Sequence, residues 1–97
     1  MRWIALFDET PRMADVRRRL EPDHFAYLRA HAGEIVIAGG LRGGPDGPVV
    51  GGLWVFEVGS RERVVQLIEA DPYYRAEPRP YRLAVWGKAL PDLAVTL

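Results

Sequence analysis

The sequence predicts an α+β domain whose elements follow the order βαββαβ. Four short apolar runs have the length and composition of buried strands, and two amphipathic segments between them have helical spacing. Glycines and prolines separate these segments, as they do in turns and loops. Because 97 residues is the size of one domain, we expect residues 1–97 to form one, with a core over about 2–88 and a tail over 89–97.

The first part of the chain predicts a strand followed by helical structure. Trp3–Phe7 is continuously apolar and ends at a turn. Met13–Leu20 is rich in charge and predicts either a short helix or an ordered loop. Pro22 is expected to prevent one helix from running through it, because proline lacks the backbone N–H that a helix interior needs. A helix then begins at Asp23 and closes at Gly33, a residue favoured at helix C-termini.

The middle of the chain predicts a long hairpin. Glu34–Ala38 is the second strand, Gly39–Pro48 is a glycine- and proline-rich loop, and Val49–Val58 is the third strand. Gly51 and Gly52 interrupt the third strand, which indicates a bulge or a close approach of another backbone.

The last part of the chain predicts a second helix and a fourth strand. Ser60 is a suitable N-cap for a helix over Arg61–Ala70, which stops at an Asp-Pro pair. Tyr73–Glu77 is a connector, and Tyr81–Trp86 is the fourth strand.

This order is that of a ferredoxin-like fold, with one four-stranded antiparallel sheet and two helices on one of its faces. Side chains alternate along a strand, so Trp3 and Phe7 face one side and Ile4 and Leu6 face the other. The third and fourth strands are also apolar on both sides. Because an apolar sheet face is unfavourable in water, we expect a homodimer through the open sheet face. A C-terminal tail folded over the sheet is the alternative.

Composition argues against several classes of function. Thirteen Lys and Arg balance thirteen Asp and Glu, which disfavours binding to nucleic acid or to an anionic membrane. The chain has no cysteine, which excludes disulfides, a thiol nucleophile and Cys-ligated zinc. No apolar run approaches the roughly 20 residues of a membrane span, and the N-terminus does not resemble a signal peptide. We therefore expect a cytoplasmic protein.

Two histidines lie on one face of the first helix. His24, Tyr27, Leu28 and His31 follow the spacing i, i+3, i+4, i+7. The histidines are roughly 10.5 Å apart along the helix axis, too far to share one metal ion, so we expect no metal site. His31 precedes the helix end, where an imidazolium interacts favourably with the dipole. His24 lies in the first turn of the expected helix, where a neutral ring is favoured and can act as a general base.

The second helix places a carboxylate on its apolar face. Val64, Leu67 and Ile68 form a stripe whose next member is Asp71. A carboxylate in that position needs a partner, and adjacent helices would bring it to His24, where it would orient the ring. The alternative is that Asp71 only caps backbone N–H groups in an Asp-Pro turn.

The glycine-rich loop does not have the sequence of a phosphate-binding loop, since no Gly-Lys-Ser/Thr ending and no helix follow it. We interpret it as a hairpin loop at the lip of a pocket, where Gly39 and Arg42 contact substrate, Arg42 suiting an anionic one. Tyr27 is a further candidate for substrate contact. The sequence contains no dinucleotide fingerprint, and we expect no cofactor.

Several segments together resemble the YciI-like (YCII-related domain) family over about residues 2–88. They are P-D-H-F-A-Y-L from Pro22, I-A-G-G from Ile37, Gly51-Gly52, Ser60 and A-D-P-Y from Ala70. The resemblance implies a dimeric α/β-barrel of ferredoxin-like protomers, with an active-site His–Asp pair at the positions of His24 and Asp71. Glu21, Gly40 and Glu77 depart from the usual Arg, Pro and Gly of that family.

These observations predict a cofactor-free, dimeric small-molecule enzyme in which His24 transfers a proton and Asp71 orients it, in an elimination or isomerisation. The alternative from another class is a non-catalytic dimer that binds a small metabolite or serves as an accessory module. A cofactor-independent oxygenase is a third possibility that rests on fold analogy alone.

Overall fold

A computed structural model describes residues 1–97 and confirms the predicted fold class. The elements are β1 (Arg2–Asp8), α1 (Met13–Ala30), β2 (Ile35–Arg42), β3 (Val49–Glu57), α2 (Arg61–Glu69), α3 (Pro72–Ala76) and β4 (Tyr81–Val85). The prediction of a connector over Tyr73–Glu77 was wrong, since most of that segment belongs to the short helix α3. The strands form one sheet in the order β2-β3-β1-β4, and every neighbouring pair is antiparallel. None of the helices is both long enough and apolar enough to span a membrane.

The first helix differs from the sequence prediction because it continues through Pro22. An interior proline costs about 3 kcal/mol, since it removes one hydrogen bond and crowds the preceding turn. Pro22 and Arg18, whose carbonyl loses its partner, are both exposed, so water can solvate that carbonyl. Met13 and Val16 are buried before the proline, and His24 is buried after it. Packing therefore fixes both halves of α1 against the same surface and offsets the cost of the proline.

The C-terminus of α1 also differs from the prediction. His31, not Gly33, is the C-cap residue, and no residue of the chain has a positive φ. The backbone carbonyl of His31 accepts hydrogen bonds from the N–H groups of Glu34 and Ile35. These hydrogen bonds end the helix and form the turn into β2 without a glycine in the left-handed conformation.

Strand β2 is longer than predicted, since it extends to Arg42 and leaves a shorter loop over residues 43–48. Both interpretations of the glycines in β3 are confirmed. The register shifts between Leu41 and Arg42, opposite Gly51 and Val49. A Cβ atom on Gly51 would lie 2.8 Å from the backbone oxygen of Phe7, which is closer than real side chains approach.

The core lies between the sheet and the helices. It contains alternate residues of β1 and β3, including Phe7 with the predicted orientation, together with the apolar stripe of α2. Its buried members are Ala5, Phe7, Ile35, Trp54, Phe56, Val58, Val64, Leu67 and Ile68. Ser60 caps α2 as predicted, accepting a hydrogen bond from the N–H of Arg63 at 3.2 Å.

The opposite sheet face is apolar as well. Strand pairing places Ile4 beside Val55 and Ala84, and Ile37 beside Val55. Ile37 is 53% exposed. The residues after β4 form no further strand, and they leave Ile37 and Ala84 exposed.

Candidate functional site

Asp71 is fully buried at the junction of two helices and uses both of its carboxylate oxygens. It follows the last turn of α2 and is the N-cap of α3, with Oδ2 accepting from the backbone N–H of Tyr74 at 3.2 Å. Its Oδ1 lies 2.5 Å from Nδ1 of His24. The two interpretations of Asp71, as a helix cap and as the partner of His24, therefore both hold.

The His24 ring is held in one orientation by its neighbours. It is 7% exposed, stacks on Tyr73 with ring centroids 3.7 Å apart, and lies 5.9 Å from the Trp54 ring. An ionised carboxylate only accepts hydrogen bonds, so Nδ1 of His24 donates to Asp71. In a neutral ring with this tautomer, Nε2 keeps its lone pair and could accept a proton from a ligand.

A cavity of about 330 Å³ lies beside His24. Its walls come from α1, from the paired strands β2 and β3, and from Tyr73 and Arg79. Gly40 pairs directly with Gly52 across the two strands, and both line the cavity. Because neither residue has a side chain, the cavity reaches the backbone of the sheet here, beside the Val49 side chain. Sequence reasoning recognised these glycines only as a bulge and as part of a loop.

The structure brings four of the five predicted site residues to this region. His24, Gly39 and Arg42 line the cavity, and Asp71 lies behind His24. Tyr27 lies outside the cavity, because its hydroxyl donates to the carbonyl of Leu67 at 2.6 Å and so joins α1 to α2. Burial raises the pKa of Tyr27.

His31 has the local role expected at a helix end. Its Nδ1 donates to the carbonyl of Tyr27 at 3.0 Å, and its ring packs on the Tyr27 ring with centroids 4.3 Å apart. It does not line the cavity. No group of three or more potential ligands in the structure is arranged to hold a metal ion.

Arg79 is the cavity residue that sequence reasoning missed. It is 7% exposed, and its Nη1 is buried without a hydrogen-bond partner. Desolvation lowers the pKa of Arg79, although the charge of Asp71 acts in the opposite direction. No local pattern predicts this role, since the flanking Pro78 and Pro80 restrict the backbone but do not predict burial of the arginine.

The other charged residues on the cavity wall are Arg17 and Glu21. Arg17 is already paired, since its guanidinium donates two hydrogen bonds to Glu9 at 2.9 and 2.7 Å. Glu21 is the acidic residue of the wall, and it is the position noted above as a departure from the usual arginine of the YciI-like family.

The fold and the site together define a small α+β protein with a buried imidazole–carboxylate pair at the wall of a cavity. The sequence model of the YCII-related domain matches residues 1–86. The chain therefore belongs to the YCII-related domain family, as its motifs predicted.

A similar solved structure is 5-chloro-2-hydroxyhydroquinone dehydrochlorinase from Burkholderia phenoliruptrix AC1100, in complex with 2,5-dihydroxybenzoquinone. The two chains are 23% identical, with a TM-score of 0.77 over 90% of this chain and 94% of the other. At this identity the similarity establishes a shared fold. No functionally curated protein matches the sequence.

Proposed function

We propose that the protein is a cofactor-free, small-molecule enzyme in which His24 transfers a proton and Asp71 orients the imidazole ring. The observation that carries the proposal is the buried His24–Asp71 hydrogen bond at the wall of a cavity. A cavity of about 330 Å³ has the size of small-molecule sites, which run from roughly 300 to 1,000 Å³.

The reaction is an elimination or an isomerisation. Nε2 of His24 takes a proton from a carbon that an adjacent electron-withdrawing group has made acidic. The electron pair left on the carbon either expels a leaving group from the neighbouring carbon or moves to another atom of the conjugated system. The imidazolium then gives its proton to the departing group or to the new position. Asp71 stabilises the imidazolium between these two steps.

Two further observations support this chemistry. The similar solved structure is that of a dehydrochlorinase, and dehydrochlorination is an elimination. The His24 ring is fixed by Tyr73 and Asp71, so little reorganisation is needed when a proton arrives. We propose Gly39 and Arg42, at the rim of the cavity, as substrate contacts.

The test compares two histidine variants in the full chain. Chloride release from 5-chloro-2-hydroxyhydroquinone and deuterium uptake by small carbonyl compounds in D₂O are measured for the wild type and for His24→Gln. Loss of a general base is expected to lower the rate by about 10²- to 10⁴-fold. His31→Gln is the matched control, because His31 is the C-cap of the same helix and lies outside the cavity, and it should retain the rate. Wild-type protein that binds these compounds without turnover would be a binding module instead.

We also propose that two copies of the chain pack through the open sheet face. At its centre Ile37 is exposed, and Ile4 and Leu53 are half-buried. Such a surface is typical of an interface between identical subunits.

Light scattering coupled to size-exclusion chromatography tests the dimer. Ile37→Glu places a charge on an exposed position of that face, and it is expected to convert a dimer into monomers. Ala32→Glu adds the same charge at an exposed position next to α1 and should leave the dimer intact. A monomeric wild-type protein would contradict the proposal.

A further inference from the structure

The least satisfied polar side chain of the cavity is Arg79. A guanidinium has five N–H donors and keeps its charge in proteins. Arg79 is only 7% exposed, and its side chain makes no hydrogen bond. Its Nη1 atom is buried without a partner. Burial of an unpaired charge is strongly unfavourable, so a protein rarely retains one without a partner.

The carboxylates of this region do not supply that partner, and Glu21, on the same cavity wall, makes no hydrogen bond to Arg79. Both oxygens of Asp71 are used, one by His24 and the other by the N–H of Tyr74. Both oxygens of Glu9 are used by Arg17. The contact that Arg79 does make is with the face of the Phe7 ring, whose centroid lies 4.7 Å from Cζ. This contact is favourable for a cation but leaves the N–H groups without an acceptor.

We propose that Arg79 is an anion-binding residue of the cavity, and that the ligands of this cavity carry a carboxylate or another acidic oxygen on a small organic skeleton. Arg79 lines the same cavity as His24. A guanidinium suits an oxyanion because two of its N–H groups can donate in parallel. The stacked His24 and Tyr73 rings and the Trp54 side chain provide an aromatic wall for the skeleton.

The substrate class follows from this subsite, and to that extent it rests on the proposed function. When His24 removes a proton from carbon, the electron pair moves toward an electronegative oxygen of the substrate. A guanidinium next to that oxygen stabilises the developing negative charge. The proton remains on Nε2 until it is returned, so the step needs no further reactant.

Binding of benzoate tests the subsite without turnover, and benzamide is the matched uncharged probe. The Arg79 Nε–Hε signal in ¹⁵N spectra of the wild-type protein should shift on addition of benzoate and not of benzamide. Arg79→Gln is expected to weaken benzoate binding by about tenfold or more. Arg75→Gln removes the same charge from an exposed position outside the cavity, and it should change the affinity by less than about twofold.

A second measurement separates a binding role from a structural one. If Arg79 awaits a ligand, Arg79→Gln should unfold at the same temperature as the wild type or at a higher one, because an unpaired buried charge has been removed. The proposal would be overturned if the Arg79 signal does not shift on addition of benzoate. It would also be overturned if Arg79→Gln is destabilised and binds benzoate with wild-type affinity. An active enzyme with an anion-insensitive Arg79 refutes the subsite alone. An inactive protein with an anion-sensitive Arg79 refutes the enzyme alone.

Discussion

Asp71→Asn separates the two uses of the Asp71 carboxylate. The asparagine carbonyl can still accept from the N–H of Tyr74, which preserves the cap of α3. Its NH₂ group would then face Nδ1 of His24 and donate to it, reversing the direction of the hydrogen bond. The His24 proton would move to Nε2, the nitrogen proposed to receive the substrate proton. The variant should therefore be folded but inactive.

The expected magnitudes follow from the contacts. The hydrogen bond to a charged partner contributes about 1.5–3 kcal/mol to the free energy of unfolding, and replacing it with a neutral one should lose part of that. Loss of the oriented base and of imidazolium stabilisation should lower the rate by about 10²- to 10⁴-fold, the range of general base catalysis. Asp71→Ala also removes the α3 cap, and should cost a further 0.5–2 kcal/mol or so.

Urea unfolding of the three proteins gives the free energies, and the elimination and exchange assays give the rates. Asp71→Asn should lie between the wild type and Asp71→Ala in stability, yet be as inactive as Asp71→Ala. An asparagine variant with wild-type turnover would refute the role of Asp71 in fixing the ring. Equal stability of the two variants would refute the capping role.

Two further variants test the scaffold around the site. Gly51→Ala is expected to lower the free energy of unfolding by about 1–3 kcal/mol, because its Cβ would meet the backbone of Phe7. Gly43→Ala, with nothing within 4 Å of its Cβ, is the control for urea unfolding, and equal effects would contradict the close approach. Tyr27→Phe should cost about 0.5–1.5 kcal/mol by removing the bond to Leu67 while leaving benzoate affinity unchanged, as calorimetry can measure. A changed affinity would restore Tyr27 as a ligand contact.

Local patterns were sufficient to predict most of the fold. The alternation of apolar residues in β1 and β3 assigned both sheet faces, and the stripe from Val64 to Asp71 identified the buried side of α2. The prediction for α1 was wrong at Pro22 and Gly33. Intrinsic propensity gave the wrong answer there because burial on both sides of the proline outweighs it, and burial depends on contacts with α3 that are distant in sequence.

The residues of the candidate site were likewise only partly predictable from the sequence. His24 and Asp71 were candidates because each is a polar residue on a face otherwise suited to packing, and the family resemblance favoured their pairing over a purely local cap. Arg79 was not identifiable, since an arginine in a short connection is usually solvated. Its burial results from the way β4 returns beside β1 and places Arg79 against Phe7. That is a property of the assembled sheet and has no local pattern.

The protonation of the His24 ring tests the central claim most directly. Two-bond ¹H–¹⁵N correlation spectra of the neutral imidazole report which nitrogen carries the proton, and assignment uses the spectra of His24→Gln. With Asp71 accepting from Nδ1, the proton should reside on Nδ1 and Nε2 should be bare. A proton on Nε2 would mean that this nitrogen is not a base toward the cavity, and it would contradict the proposed mechanism.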